Sequence, residues 1–231
     1  MMNVIELTKR LIKCPSITPK EAGALKLIEE LFKNTGFECH RINKGGISNL
    51  FLRWGAKNLP TIGFSGHVDV VPPGEISDWE FEPFSGKVVN DIIFGRGSVD
   101  MKSAVAAFCS AAIKYSKNTA VNDFSIALLI TGDEEGKAKY GTKAILDWMT
   151  DNGERMDHCI VGEPTCPKTF GEAIKIGRRG SINCSFTVIG KQGHSAYPHL
   201  TINPINATMK LLNNLSNTTL DNGSKFFEPS T

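Results

Sequence analysis

Phe124-Ser125-Ile126-Ala127-Leu128-Leu129-Ile130-Thr131-Gly132-Asp133-Glu134-Glu135-Gly136 is the stretch that decides the fold. Phe124–Thr131 is a nearly continuous apolar run without the alternation of a half-exposed strand. Such a run is the signature of a strand covered on both faces. Three acids and two glycines follow it at once, so the strand ends in a polar loop. A doubly covered strand needs helices on both sides of its sheet, which implies an α/β layer architecture.

The flanking sequence fits that architecture. Upstream, strand-like runs fall at Phe37–Ile42, Leu50–Trp54 and Thr61–Phe64, with a short one near Ile92–Phe94 after a Pro/Gly-rich loop from Pro72 to Ser85. Helical periodicity places an amphipathic helix at the start, with Val4, Leu7 and Leu11 on one face. A second helix is predicted from Thr18 as N-cap, Pro19 in the first turn and Glu21 closing a capping box, with Gly36 at its end. A third is predicted over Ser103–Tyr115, burying Ala104, Ala107, Phe108, Ala111 and Tyr115. Downstream, Thr142–Met149 reads as a helix and Cys159–Val161 as a short strand. Strands alternating with helices predict a mixed or largely parallel sheet flanked by helices.

The pattern changes near Gly177-Arg178-Arg179-Gly180. Ser181–Ile189 alternates like an antiparallel strand, and Asn203-Pro204 opens a helix predicted to turn Ile205, Met209 and Leu212 inward. This is read as two domains, residues 1–179 and the beginning of a β-α domain over residues 180–231.

Composition narrows the classes. At 231 residues, 41% hydrophobic and 22% charged, the chain can bury a core as a soluble globular protein. A formal net charge of +2 with no block of like charge gives no surface for nucleic acid or membrane. The longest apolar runs are too short to span a bilayer, and Glu6, Lys9, Arg10 and Lys13 interrupt any signal-peptide core. Six cysteines without C-x-x-C spacing are expected to be free thiols in a reducing cytoplasm.

Four short windows carry metal-ligand chemistry: Ser65-Gly66-His67-Val68-Asp69, Gly95-Arg96-Gly97-Ser98-Val99-Asp100, Thr131 to Gly136, and Val161-Gly162-Glu163-Pro164. Each sits at or just after a strand-like run, where open α/β sheets gather their ligands. His67 and Asp69, two apart, face the same way in an extended segment, so one can bind a metal and the other tune it. Asp100 could bridge two cations, or it or Ser98 could merely cap the following helix. Glu134 and Glu135 point opposite ways if extended, one to a metal and one to a water, unless the triplet is an exposed acidic turn. Pro164 holds Glu163 extended, though Glu163 alone would pass for a surface residue. Taken together the windows supply one imidazole and several carboxylates, the donor set for paired zinc-like ions.

These windows resemble those of the di-zinc aminoacylase and carboxypeptidase family of metallohydrolases. The likeness extends through Ser65–Pro73, Gly95–Lys102, Ile160–Thr165, Ile176–Ser181 and the string Gly190-Lys191-Gln192-Gly193-His194-Ser195-Ala196-Tyr197-Pro198-His199. It implies a zinc-peptidase-like catalytic domain over residues 1–179, with residues 180–231 opening an inserted lid and dimerisation domain. It implies two divalent ions, Zn2+ or Co2+, with His67, Asp100 and Glu163 on one and Asp100 with Glu135 on the other. Glu134 resembles the general base, Asp69 the support of His67, His194 the lid histidine that stabilises the oxyanion across a homodimer, and Arg178 a contact to substrate carboxylate. The narrower match implies a cytoplasmic amidase that hydrolyses N-succinyl-LL-diaminopimelate for lysine and cell-wall synthesis. An amidase of the same family acting on acetylornithine, or an inactive metal-binding fragment, are the rival expectations. Family members are longer and supply a further metal-binding histidine late in the chain. His199 is the last histidine here, so a C-terminally truncated member is expected.

Overall fold

The computed structural model describes residues 3–117, 123–178, 180, 182 and 184–229. It divides into two compact units, Met1–Cys166 and Pro167–Thr231.

The first unit is built on a five-stranded mixed sheet. Its strands are β1 (Glu38–Lys44), β2 (Ile47–Trp54), β3 (Thr61–His67), β6 (Ser125–Thr131) and β7 (His158–Val161), in the order β1-β2-β6-β3-β7. β2 pairs antiparallel with β1 and with β6, whereas β3 runs parallel to both β6 and β7. A separate hairpin joins β4 (Lys87–Val89) and β5 (Ile92–Phe94).

β6 is buried along its whole length, as its unbroken apolar run predicts. Successive side chains leave a strand on opposite faces. Ile126, Leu128 and Ile130 therefore meet one layer, containing Leu7 and Leu11 of α1 (Val4–Ile12), Leu25, Ile28 and Phe32 of α2 (Ala24–Phe32), and Val105, Ala106 and Cys109 of α3 (Ser103–Ser116). Ala127 and Leu129 meet the other, where Phe51 of β2 packs with Ala144, Ile145 and Met149 of α4 (Thr142–Asp151). Each large apolar side chain so buried contributes roughly 1.5–3 kcal/mol.

Several expectations are corrected. Helix α2 begins at Ala24 after a left-handed Gly23, not at Thr18. The Thr18 amide donates to Val70 O at 3.0 Å, which ties that backbone to the segment after β3. Glu21 still caps, its carboxylate accepting from Leu25 N at 2.9 Å. The buried stripe of α3 runs through Val105, Ala106, Cys109, Ala112 and Ile113, leaving Ala107 and Ala111 exposed. In an alanine-rich helix small residues fit either face, and the larger Val105 and Ile113 decide the rotation.

In the second unit, α5 (Pro204–Ser216) forms as expected, with Asn203 Oδ1 accepting from Ile205 N at 3.0 Å. Its Ile205, Met209 and Leu212 are exposed instead of inward. Among the described residues of 182–189 there is no strand; Ser181 and Asn183 lie outside them. Alternation makes a strand only where an edge is available to pair with it, and among the described residues of this unit the isolated bridges are Lys191 with Ile202 and Ser224 with Phe227. Among the described residues no helix is long and apolar enough to cross a membrane.

One buried ion pair fastens the sheet to the turn after α4. Arg53 of β2 and Glu154, each with a side chain 4% exposed, bond through Arg53 Nε, and Lys57 Nζ reaches the other Glu154 oxygen at 2.7 Å. Burial pushes the Glu154 carboxyl up, but the bonds and charges of Lys57 and Arg53 outweigh it and hold the group below its ordinary value of 4.5. A carboxyl lowered by folding stabilises fully above its unfolded value, and the contribution is lost as pH falls through the lower folded one. Glu154→Gln should therefore cost about 3 kcal/mol near neutrality, because Arg53 is left buried without its counter-charge. Urea unfolding of both proteins should show that gap shrinking steadily below pH 4.5. A gap independent of pH would mean that the pair carries no net charge interaction.

Candidate metal centre

Parallel pairing of β6, β3 and β7 sets their carboxyl ends on one edge of the sheet. His67 ends β3, Glu134 and Glu135 follow β6, and Glu163 follows β7. Asp100 comes from a kinked turn ahead of α3, where Asp100 and Met101 leave helical geometry (φ −116° and −132°). No side-chain cap is made at that turn or at α3, so neither Ser98 nor Asp100 serves as a helix cap.

Glycines let these ends close together. A side chain at Gly162 would lie 2.6 Å from the Phe64 ring and 2.7 Å from Met101 Cε, so only hydrogen fits between β7 and the site floor. Gly97 has φ +82° and would strike Val70 at 2.8 Å with any side chain, which fixes glycine at the entry to the Asp100 turn.

The His67 ring is buried, 1% exposed, and its two nitrogens have different surroundings. Nδ1 lies 2.8 Å from the backbone carbonyl of Asp69. A carbonyl only accepts, so Nδ1 carries the proton. In the neutral ring Nε2 then holds a lone pair. That lone pair faces carboxylate oxygens of Asp100 at 3.0 Å, Glu163 at 3.7 Å and Glu134 at 3.9 Å. An acceptor turned on three acceptors is repulsive unless a cation or proton lies between them, and the donor types suit zinc. Two sets of ligand atoms lie within 4.8 Å of one another: His67, Asp100 and Glu135, and His67, Glu134 and Glu163. Adjacent Glu134 and Glu135 fall into different sets, but not because the segment is extended: both lie in a bend, with their amides on the one Asp69 carboxylate. The sets pair Asp100 with Glu135 and Glu163 with Glu134, whereas the sequence reading puts Asp100 and Glu163 together on one ion. The residues present fit a divalent ion.

Asp69 supports the centre in a way its spacing did not reveal. Its carboxylate is 0% exposed and stands 3.6 Å from the imidazole, while its carbonyl makes the ring contact. The carboxylate itself accepts the backbone N–H groups of Glu134, at 3.1 and 3.2 Å, and of Glu135, at 3.0 Å. Asp133, the first of the acidic triplet, is buried and accepts from Tyr140 N at 3.4 Å, so it shapes the loop. Lys102 closes the Gly95–Lys102 string, but the sequence gives it no role. It is 0% exposed, and its Nζ donates to Leu11 O at 2.9 Å and Cys14 O at 2.8 Å, pinning the Asp100 turn to the end of α1. Burial lowers that amine to about 8.

Solvent reaches the centre from the carboxylate side. Asp100 is 51% and Glu134 36% exposed. Asp100 and Glu135 also line a cleft with Val71, Trp79, Phe94 and Arg96. Burial first, then the Asp100 charge, pushes the Glu135 carboxyl up.

His194 and Arg178 belong to the second unit. The His194 ring is exposed, its Nδ1 accepts from Ala196 N at 3.1 Å, and it lies 5.7 Å from the Tyr197 ring. Arg178 is exposed and outside regular structure, and Arg179 lies outside the described residues.

The His67 surroundings make a measurable prediction. Burial alone would lower the imidazole, but the Asp69 carbonyl and the charges of Asp69, Glu163 and Glu134 outweigh it and raise the ring above 6.5. In the metal-free chain that raised value stabilises below 6.5 and the gain is lost as pH rises through the folded value. A metal must displace the same proton, so its affinity should weaken as pH falls. NMR titration of His67 in metal-free protein should give a midpoint above 6.5. A midpoint at or below it would mean that the carboxylates do not act on the ring.

Comparison with known proteins agrees with this geometry. The sequence model of peptidase family M20/M25/M40 matches residues 63–225. Succinyl-diaminopimelate desuccinylase of Paracoccus denitrificans is 53% identical over 225 residues, 97% of this chain and 59% of that protein. The enzyme of that name from Dinoroseobacter shibae is 53% identical over 232 residues, covering 100% of this chain and 61% of its own length. The chain thus spans about three-fifths of the length of the curated relatives it matches. Among solved structures, an M20 family metallo-carboxypeptidase of Sulfolobus solfataricus aligns with a TM-score of 0.58 at 23% identity, over 70% of this chain and 37% of that one. A tripeptidase of Staphylococcus aureus also aligns at 0.58, with 17% identity, over 91% and 55%. These two show the fold. The chain belongs to peptidase family M20/M25/M40.

Proposed function

We propose that this M20/M25/M40 chain carries the chemistry of a succinyl-diaminopimelate desuccinylase. The reaction is hydrolysis of the amide in N-succinyl-LL-diaminopimelate to succinate and LL-diaminopimelate, a step toward lysine and cell-wall material in the cytoplasm. The observation that carries a metal-dependent hydrolysis is the buried imidazole whose Nε2 faces Asp100, Glu163 and Glu134 at a sheet edge. The half-identity shared along nearly the whole chain with relatives of that name supports the choice of amide.

In this reading His67, Asp100 and Glu163 hold one divalent ion, and Asp100 with Glu135 contributes to a second, with Zn2+ or Co2+ as the metals. When bound, such ions would polarise the scissile carbonyl and lower the pKa of a water toward about 7. Glu134, which is open to solvent, takes a proton from the attacking water as its oxygen joins the carbonyl carbon. It returns a proton to the nitrogen as the C–N bond breaks, so succinate leaves as a carboxylate and the amine is freed. Asp69 keeps His67 oriented through its carbonyl and keeps Glu134 in place through its carboxylate. Arg178 offers a guanidinium fork to a substrate carboxylate, and His194 a donor to the oxyanion from a partner copy. Residues 180–231 would then form part of a lid through which two copies pair.

The test is turnover of succinyl-diaminopimelate against acetylornithine by metal-loaded protein carrying this sequence. Preference for the acetylated substrate would overturn the choice of amide. Glu134→Gln should leave metal content unchanged and lower turnover by about 10²–10⁴, the range for loss of a general base. A variant with near-normal turnover would place the base elsewhere.

A further inference from the structure

Asn49 lies on β2, carries no catalytic chemistry, and is 0% exposed. Its whole side chain is nevertheless spent on polar contacts. Oδ1 accepts from Thr131 Oγ1 at 2.8 Å and from Gly132 N at 3.3 Å. Nδ2 donates to Tyr140 O at 2.8 Å and to Ile42 O at 3.3 Å. The amide orientation follows from the partners, since the two carbonyls can only accept and the Gly132 amide can only donate. Four bonds saturate an asparagine.

Three of the four go to one object. Thr131 and Gly132 lead into the loop that bears Glu134 and Glu135, and Tyr140 leads out of it. A single side chain from a neighbouring strand therefore grips both ends of that loop. Thr131 Oγ1 extends the grip inward by accepting from Asp133 N at 3.1 Å. The loop has no slack at these ends. A side chain on Gly132 would come within 2.7 Å of Ser48 O, and one on Gly141 within 2.5 Å of both Thr131 Oγ1 and Asp133 O.

We infer that Asn49 is a positioning residue for the carboxylate pair, fixing both ends of the 132–140 loop so that Glu134 and Glu135 face His67 before any ion binds. Asp69 holds the middle of the same loop through the Glu134 and Glu135 amides. With the ends released, that hold on the middle must work against a longer free segment, and the carboxylates spread over more positions. The effect on metal affinity rests on the metal-centre reading; the effect on loop order does not.

The 231-residue chain is compared with Asn49→Ala, Asn49→Asp and Phe51→Leu. Phe51 is the control because it is 0% exposed on the same strand and packs with α4 in the core. Two quantities are read: amide hydrogen exchange across residues 132–140, and Co2+ affinity from the visible absorption of the bound ion. Asn49→Ala should speed exchange in the loop by about tenfold or more relative to the rest of β6, as local opening becomes easier. Its Co2+ affinity should fall by about 10–100-fold, the usual effect of losing a group that orients metal ligands. Asn49→Asp keeps the acceptor for Gly132 but turns a second acceptor on Tyr140 O, so it should loosen the Tyr140 end; should the alanine variant fail to fold, it supplies both readouts. Phe51→Leu should lower the melting temperature with loop exchange and Co2+ affinity unchanged. The inference is overturned if Asn49→Ala matches the parent in both, or if Phe51→Leu at equal melting temperature disturbs the loop as much. Should the parent chain take up no Co2+, the metal-centre reading fails and loop exchange alone decides the role of Asn49.

Discussion

The Asp69 side chain and backbone hold the centre together. Its carbonyl takes the Nδ1 proton of His67, while its carboxylate takes the amide protons of Glu134 and Glu135. One residue thereby sets the imidazole and the acidic pair against each other. A buried carboxylate is expensive unless its lone pairs are used, and backbone N–H donors satisfy it without bringing a neutralising side chain into the site. The loop can then present negative side chains outward while its amides point inward at Asp69. Like charges that would repel in a flexible turn are held in place by a backbone they cannot move.

The sheet makes that arrangement possible. β3, β6 and β7 are parallel, so three consecutive sheet positions deliver their ends to one edge, while the antiparallel β1 and β2 complete the sheet on the far side of β6. Since β6 is central and buried along its whole length, the loop after it starts from a strand packed on both faces. Placing the carboxylates there trades local stability for geometry, a trade a buried strand can support better than an edge strand.

Much of this was legible in the sequence. The apolar run of β6 announces a doubly covered strand because burial on both faces leaves no room for alternation. His67, Asp100, Glu134, Glu135 and Glu163 are legible because ligand-type residues fall at strand ends, and the structure brings them together. Where the reading slipped, a local signal met a tertiary competitor. Thr18, Pro19 and Glu21 compose a plausible helix start, but the Thr18 amide is claimed by Val70 and only Glu21 still caps. Alanines in α3 carry too little side chain to define a face. Asn49 and Lys102 were illegible for a different reason. Apart from the Ile42 carbonyl 7 residues away, the partners of Asn49 lie 82, 83 and 91 residues away and those of Lys102 91 and 88, and no periodicity reports a bond of that span.

Lys102 shows why such struts matter to the charge balance as well as to shape. Three carboxylates face one imidazole, and the nearby buried cation is not spent on them. Its Nζ is turned to the carbonyls of Leu11 and Cys14 at the end of α1, where the helix dipole favours a cation. A lysine bonded directly to Asp100 or Glu134 would satisfy the acids and remove the reason for a divalent ion to bind. By directing the amine into helix carbonyls, the fold gains an anchor for the Asp100 turn and leaves the carboxylates of the centre in want of a cation.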